Sequence, residues 1–134
     1  MMNTQVERLI SALKIGISDC VVVTGSMIEL TDFRDQAIDI LAEASFQVSQ
    51  MDLHSYHPRP SRTDNDVDVL ILWGLEQLSP QDNRSYSIRT HLDKARHQGL
   101  RSIIFCENSS YRAHFLDHDA PFYHFCLRVL ASEN

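Results

Sequence analysis

Residues 21–38 read VVVTGSMIELTDFRDQAI, an apolar run that breaks at Thr24-Gly25-Ser26 and passes into a helical pattern. The β-branched stretch from Cys20 to Val23, bounded by Gly25, predicts a buried strand. After the turn, Phe33, Ala37, Ile40, Leu41 and Ala44 recur at helical spacing, with Asp32, Asp35, Asp39 and Glu43 on the other side. Thr31 or Asp32 is placed to cap the free amides of that helix. A strand that feeds a helix through a small-residue turn aims those amides, and the positive end of the helix dipole, at whatever lies beyond the strand. The turn therefore either holds an anion or only carries the chain from strand to helix.

Working outward, Val6, Leu9, Ile10 and Leu13 predict an amphipathic helix over about residues 3–14, with Gly16 as its stop. FQVSQMDL at 46–53 predicts a second strand, and HSYHPRPSRTDND at 54–66 a long loop. DVDVLILWG at 66–74 is the most apolar strand and the expected centre of a sheet. LEQLSPQDNRS leads to a helix from about Tyr86 to His97 that ends before Gly99, and RSIIFC at 101–106 is the next strand. The tail, about 109–131, predicts a short helix capped by Ser109 or Ser110, a break at Pro121, and a last helix with Phe122, Phe125, Cys126 and Val129 on one stripe. Strand and helix patterns alternate. Alternation predicts a three-layer α/β domain over residues 1–134, with a parallel sheet of four or five strands and helices on both faces. Ligands of such sheets lie beyond the carboxyl ends of the strands, which the loops at 24–30, 53–65 and 74–84 leave.

Composition narrows the partners. The chain has 134 residues, 43% of them apolar and 22% charged, as in folded soluble domains. A net charge of −6 opposes binding to nucleic acid or anionic lipid. The longest apolar runs, Val21–Val23 and Val69–Trp73, fall far below a membrane span of about 18 residues, and MMNTQVERLISALK has no secretory pattern. A cytoplasmic protein is expected. Cys20, Cys106 and Cys126 are odd in number and set among apolar residues, the pattern of buried small side chains rather than of a disulfide or zinc framework.

The chemistry-bearing motifs are incomplete. A triphosphate-binding loop needs a second glycine, a lysine and a serine or threonine, and Leu30, Thr31 and Asp32 stand where they belong. A dinucleotide fingerprint needs three glycines and this turn has Gly25 alone. The third strand ends in Leu72, Trp73 and Gly74, without the magnesium-binding acid of an ATPase. His114, His118 and His124 have a zinc-protease spacing, yet Phe115 and Pro121 occupy the positions of its glutamate and glycine. His54 and His57 read as loop decoration, and Cys106 is disfavoured as a nucleophile by adjacent Glu107. No cofactor or metal is expected. Trp73 is either core or a stacking wall, and Arg34 either pairs with Asp35 or Asp39 or faces the ligand crevice.

VVVTGSMIELTDFRDQAIDIL resembles the opening of TIR-like domains of unknown function at the N-termini of STAND-type signalling proteins, which read V-F-V-S-S-T-x-x-D-L-x-x-E-R. Thr24, Gly25 and Ser26 stand for the hydroxyl-rich turn, Glu29 and Leu30 for the acid-leucine pair, and Phe33 and Arg34 for the Glu-Arg pair. QMDLHSY, DVDVLILWG and SYSIRTHLDKARHQGLRSIIF are similar to later segments, so the likeness covers roughly residues 20–106. It implies a flavodoxin-like arrangement related to nucleoside deoxyribosyltransferases. It also implies an N-glycosidic activity on NAD or a nucleoside that uses a glutamate on the helix after the third strand. Arg89, His91 or Leu92 stands where the relatives place that glutamate, and Asp93 is the only nearby acid. Two readings stay open. The favoured one is a non-catalytic sensor or interaction module that docks on a protein partner or self-associates, with Thr24, Gly25, Ser26, Arg34, Trp73 and Gly74 around a nucleotide-like ligand. The other is a hydrolase with Asp93 or a distant acid as its carboxyl group, and with Thr24, Ser26 and Arg34 holding phosphate or ribose.

Overall fold

The computed structural model describes residues 4–14, 20–53, 68–123 and 125–131. The elements are α1 (Thr4–Lys14), β1 (Cys20–Gly25), α2 (Met27–Glu43), β2 (Val48–Asp52), β3 (Val69–Trp73), α3 (Asn83–His97), β4 (Arg101–Glu107), α4 (Asn108–Tyr111) and β5 (Leu127–Leu130). The loop at 54–66 and His124 lie outside the described residues.

The five strands form one all-parallel sheet in the order β2-β3-β4-β1-β5. The period of two sorts their side chains into two cores. Val21, Val23, Val69, Ile71, Ile103 and Phe105 meet Val6, Leu9 and Leu13 of α1 and Leu30, Phe33, Ala37 and Leu41 of α2. Cys20, Val22, Leu70, Leu72, Ile104 and Cys106 meet Ile88 and Leu92 of α3 together with Phe115, Phe122 and Phe125. The chain thus adopts the three-layer α/β architecture, with helices on both faces. β1 lies between β4 and β5, whereas flavodoxin and CheY follow the order 2-1-3-4-5. Among the described residues, no helix is long and apolar enough to cross a membrane.

Several local expectations are corrected. The N-cap of α2 is Ser26 rather than Thr31 or Asp32, so the helix starts earlier than its hydrophobic period suggests. Thr31 instead donates its hydroxyl to the Met27 carbonyl, and Asp32 accepts from Gln36. α3 begins at Asn83, capped by Asp82, not near Tyr86. α4 takes Glu107 as its N-cap, placing Ser109 and Ser110 inside the helix, and runs on into a π-helical turn at Arg112–Leu116. The expected last helix does not form. Leu127–Leu130 is a strand beside β1, because the exposed edge of β1 offers backbone partners that a four-residue helix cannot match. Phe122 and Phe125 sit in the preceding turns and are buried.

Candidate functional site

Parallel winding brings the ends of β2, β3 and β4 and the start of α2 around a groove of about 200 Å³. Its apolar walls are Met27 and Leu30 from α2, Trp73 from β3 and Phe105 from β4. Thr31, Gly74 and Gln77 also line it, and its charged side chains are Asp52 and Glu76. Asp52 ends β2 directly beside Trp73 of β3. Gly74 follows Trp73 with φ of 86°, a left-handed conformation that glycine adopts without a Cβ clash, and it caps the one-turn 3-10 helix Leu75–Gln77 that carries Glu76. The Arg34 guanidinium lies over the Trp73 ring, 3.7 Å from its centroid, and its Nε pairs with Asp35 at 3.2 Å. Arg34 thus pairs with Asp35 and packs on Trp73 without being among the residues that line the groove, and Trp73 is half-buried wall as well as core.

The Thr24-Gly25-Ser26 turn has a different employment. Thr24 is buried, and its hydroxyl accepts from Arg128 Nε at 3.0 Å. A Cβ on Gly25 would meet Ala131 Cβ at 2.9 Å. Ser26 forms a capping box: its N–H donates to Glu29 Oε1 at 2.9 Å, and the Glu29 N–H donates to Ser26 Oγ at 3.3 Å. The Glu29 carboxylate therefore sits where the helix dipole would draw an external phosphate. Thr24, Gly25 and Ser26 are not among the walls of the groove.

Asp93 is likewise elsewhere. α3 runs back from the carboxyl ends of the strands toward the start of β4, so its last turns lie at the amino ends of the sheet. There Asp93 is 49% exposed and pairs with Arg96 at 2.6 Å. Besides Asp52, the acid that the structure brings to the groove is Glu76, which no motif in the sequence singles out. Its signal is positional: it stands two residues after Gly74, in one of the loops leaving the carboxyl ends of the strands.

Burial pushes the Glu76 pKa above the ordinary 4.5; its own backbone N–H opposes this, and the nearby Glu107 and Asp52 charges add to it. A raised carboxyl pKa stabilises the fold below 4.5 and loses that contribution as pH climbs through the folded-state value. Glu76→Gln is accordingly expected to raise stability at pH 7, by about 0.5 kcal/mol or less given its partial exposure, and to have no such benefit at pH 4. Thermal melts of both proteins across that range check it.

Cys106 is fully buried, and its thiol is pushed up to about 12 by burial and by Glu76 and Glu107, with Arg128 opposing. It is no nucleophile at neutral pH. His114 is buried and His118 exposed, and among the described residues no three His, Cys, Asp or Glu side chains are grouped to hold a metal.

No family model matches the chain, and no curated protein matches it in sequence. Solved structures of similar fold include the following two. AMPPCP-bound DnaA from Aquifex aeolicus superposes with a TM-score of 0.65 at 10% identity, over 97% of this chain and 47% of that one. Protein NMB1076 from Neisseria meningitidis gives a TM-score of 0.52 at 15% identity, over 83% of this chain and 73% of that one. This chain spans about half the length of the DnaA chain. At such identities the likeness is one of fold.

Proposed function

We propose that this protein is a non-catalytic binding module whose working surface is the groove at the carboxyl ends of β2, β3 and β4. The group that fits there is apolar and positively charged, such as a lysine or arginine side chain of a partner protein. One observation carries this reading: four apolar walls surround a floor whose charged side chains, among the described residues, are the carboxylates of Asp52 and Glu76. An aliphatic stem buries against Trp73 and Leu30 while its cation meets the carboxylates. The surface continues outward through Met27 and Ile28, which are 50% and 84% exposed, with Asp32 and Asp35 beside them. The TIR-like resemblance, whose members dock on other proteins or self-associate, points the same way.

Phosphate suits this groove poorly. The DnaA structure of similar fold holds AMPPCP, a triphosphate analogue, but here Asp52 and Glu76 repel such an anion and Glu29 already occupies the start of α2. Trp73 is the chain's only tryptophan, so its fluorescence reports on the groove. Titration with N-acetyl-arginine amide is expected to change that emission saturably, and Asp52→Asn with Glu76→Gln to weaken binding roughly tenfold, about 1.4 kcal/mol. Unchanged affinity in the double variant contradicts the reading.

The elevated pKa of Glu76 favours a second reading, since perturbed acids mark catalytic sites. In it the protein is an N-glycosidic hydrolase acting on NAD or a nucleoside, with Glu76 rather than Asp93 as the acid. Release of nicotinamide or free base, abolished by Glu76→Gln and retained in Asp93→Ala, supports that alternative and overturns the non-catalytic one.

A further inference from the structure

Cys20 opens β1 and Cys126 immediately precedes β5, and the parallel register pairs the residues that follow them, Val21 with Leu127. The two thiols consequently reach the same side of the sheet, where Cys20 belongs to the core beneath α3 and Cys126 packs against it. Their sulfurs are 2.8 Å apart across a separation of 106 residues in the chain. Neighbouring strands lie about 4.8 Å apart, within the Cα range that a disulfide spans, and bond formation draws these sulfurs together by less than about 1 Å. Cys106 is remote from the pair: it lies at the opposite end of the strands, beside Thr24.

We propose that Cys20 and Cys126 form a redox modification site that closes to a disulfide by exchange with a small-molecule disulfide such as oxidised glutathione. Cys126, the partly exposed member, loses its proton and attacks a glutathione sulfur, releasing one glutathione and leaving a mixed disulfide. Cys20 then loses its proton and attacks the Cys126 sulfur, and the second glutathione leaves. Two thiols are oxidised and one small disulfide is reduced to two thiols, so the two electrons balance. Burial and the Cys20 contact hold the Cys126 thiol well above its ordinary pKa, while Arg96 and Arg89 act in the other direction. Exchange is accordingly slower than at an exposed thiol.

The cross-link pins a strand of four residues, paired on one side only among the described residues, to its neighbour β1 inside the sheet. That strand carries Arg128, which holds Thr24, and leads into Ala131, which packs against Gly25. Oxidation thus stiffens the turn that leads into α2.

The test is to equilibrate the full chain with oxidised glutathione, unfold it in the presence of an alkylating agent, and map the cysteines by mass spectrometry. The expected product has lost two hydrogens, carries label on Cys106 alone and yields a linked Cys20–Cys126 peptide. Its melting temperature is raised by about 5–15 °C. Cys106→Ser is expected to form the same link. Three labelled thiols, a lasting glutathione adduct on Cys126, or a link through Cys106 overturns the proposal.

Discussion

Phe122→Ala is expected to lower the free energy of unfolding by about 3–5 kcal/mol, the full cost of emptying an aromatic site in a core. Phe122 is 0% exposed in the C-terminal turns, with its ring centroid 5.5 Å from that of Phe115 and 5.9 Å from that of Phe125. Those rings fill the core between the sheet and α3, alongside Leu72, Ile88, Leu92 and Ile104. The short tail is fixed around them: the Arg89 guanidinium reaches the Pro121 carbonyl, and Arg89 and Arg96 lie over Phe125. Backbone so held cannot collapse into the space the ring leaves, so the loss includes both the transfer of the ring to water and the cavity. In urea, with a slope of about 1–3 kcal/mol per molar for a small domain, the midpoint moves down by roughly 2 M. A loss below about 1 kcal/mol indicates instead that the aromatic tail is a surface feature available for docking.

Gly25→Ala is expected to cost about 1–3 kcal/mol, although it adds a single methyl group in an ordinary strand. The new Cβ meets Ala131 Cβ at 2.9 Å, inside any van der Waals contact, and lies 3.4 Å from the Glu29 side chain. Ala131 cannot yield by rotating a bond, because its Cβ is fixed to the backbone, and its N–H donates to the Thr24 carbonyl at 2.8 Å. Relief comes from moving the end of β5 or the start of α2, which disturbs either that hydrogen bond or the Ser26–Glu29 capping box. Chemical denaturation measures the loss, and amide hydrogen exchange places it in β5 and the first turn of α2. If the turn were an open ligand cradle, the methyl group would be tolerated and would alter ligand affinity alone.

Much of the architecture is legible in the order of the residues. Alternating strand and helix patterns require a parallel sheet with two covered faces, and the period-two sorting of residues 20–25, 69–73 and 101–107 follows from it. Strand order is not legible, since the same alternation fits any winding, and every side-chain meeting that depends on β1 lying beside β5 is hidden with it. The Cys20–Cys126 contact, the Arg128–Thr24 hydrogen bond and the Ala131 contact at Gly25 are three such cases. The start of α2 is obscured because Met27 and Ile28 are apolar yet exposed, so the hydrophobic period begins only at Leu30, although Ser26-x-x-Glu29 is a capping-box pattern visible in the chain. In the tail, Phe122, Phe125, Cys126 and Val129 fit a helical stripe by spacing, and sheet pairing overrides it. Within the site, the meeting of Trp73 and Arg34 at the strand ends is foreseeable from position. The partial burial that singles out Glu76 depends on the 3-10 turn that follows β3 and lines the groove.

That this groove takes cationic and apolar groups and rejects phosphate is checked by titrating ¹⁵N-labelled protein with magnesium-ATP and, separately, with N-acetyl-arginine amide. Saturable shifts of Thr31, Gly74 and the Trp73 indole are expected with the arginine compound. With magnesium-ATP at equal concentration, Ser26–Leu30 and Trp73 stay in place. Saturable movement of Ser26–Leu30 and Trp73 with magnesium-ATP contradicts the claim, since a phosphate would then have displaced the Glu29 carboxylate from the start of α2.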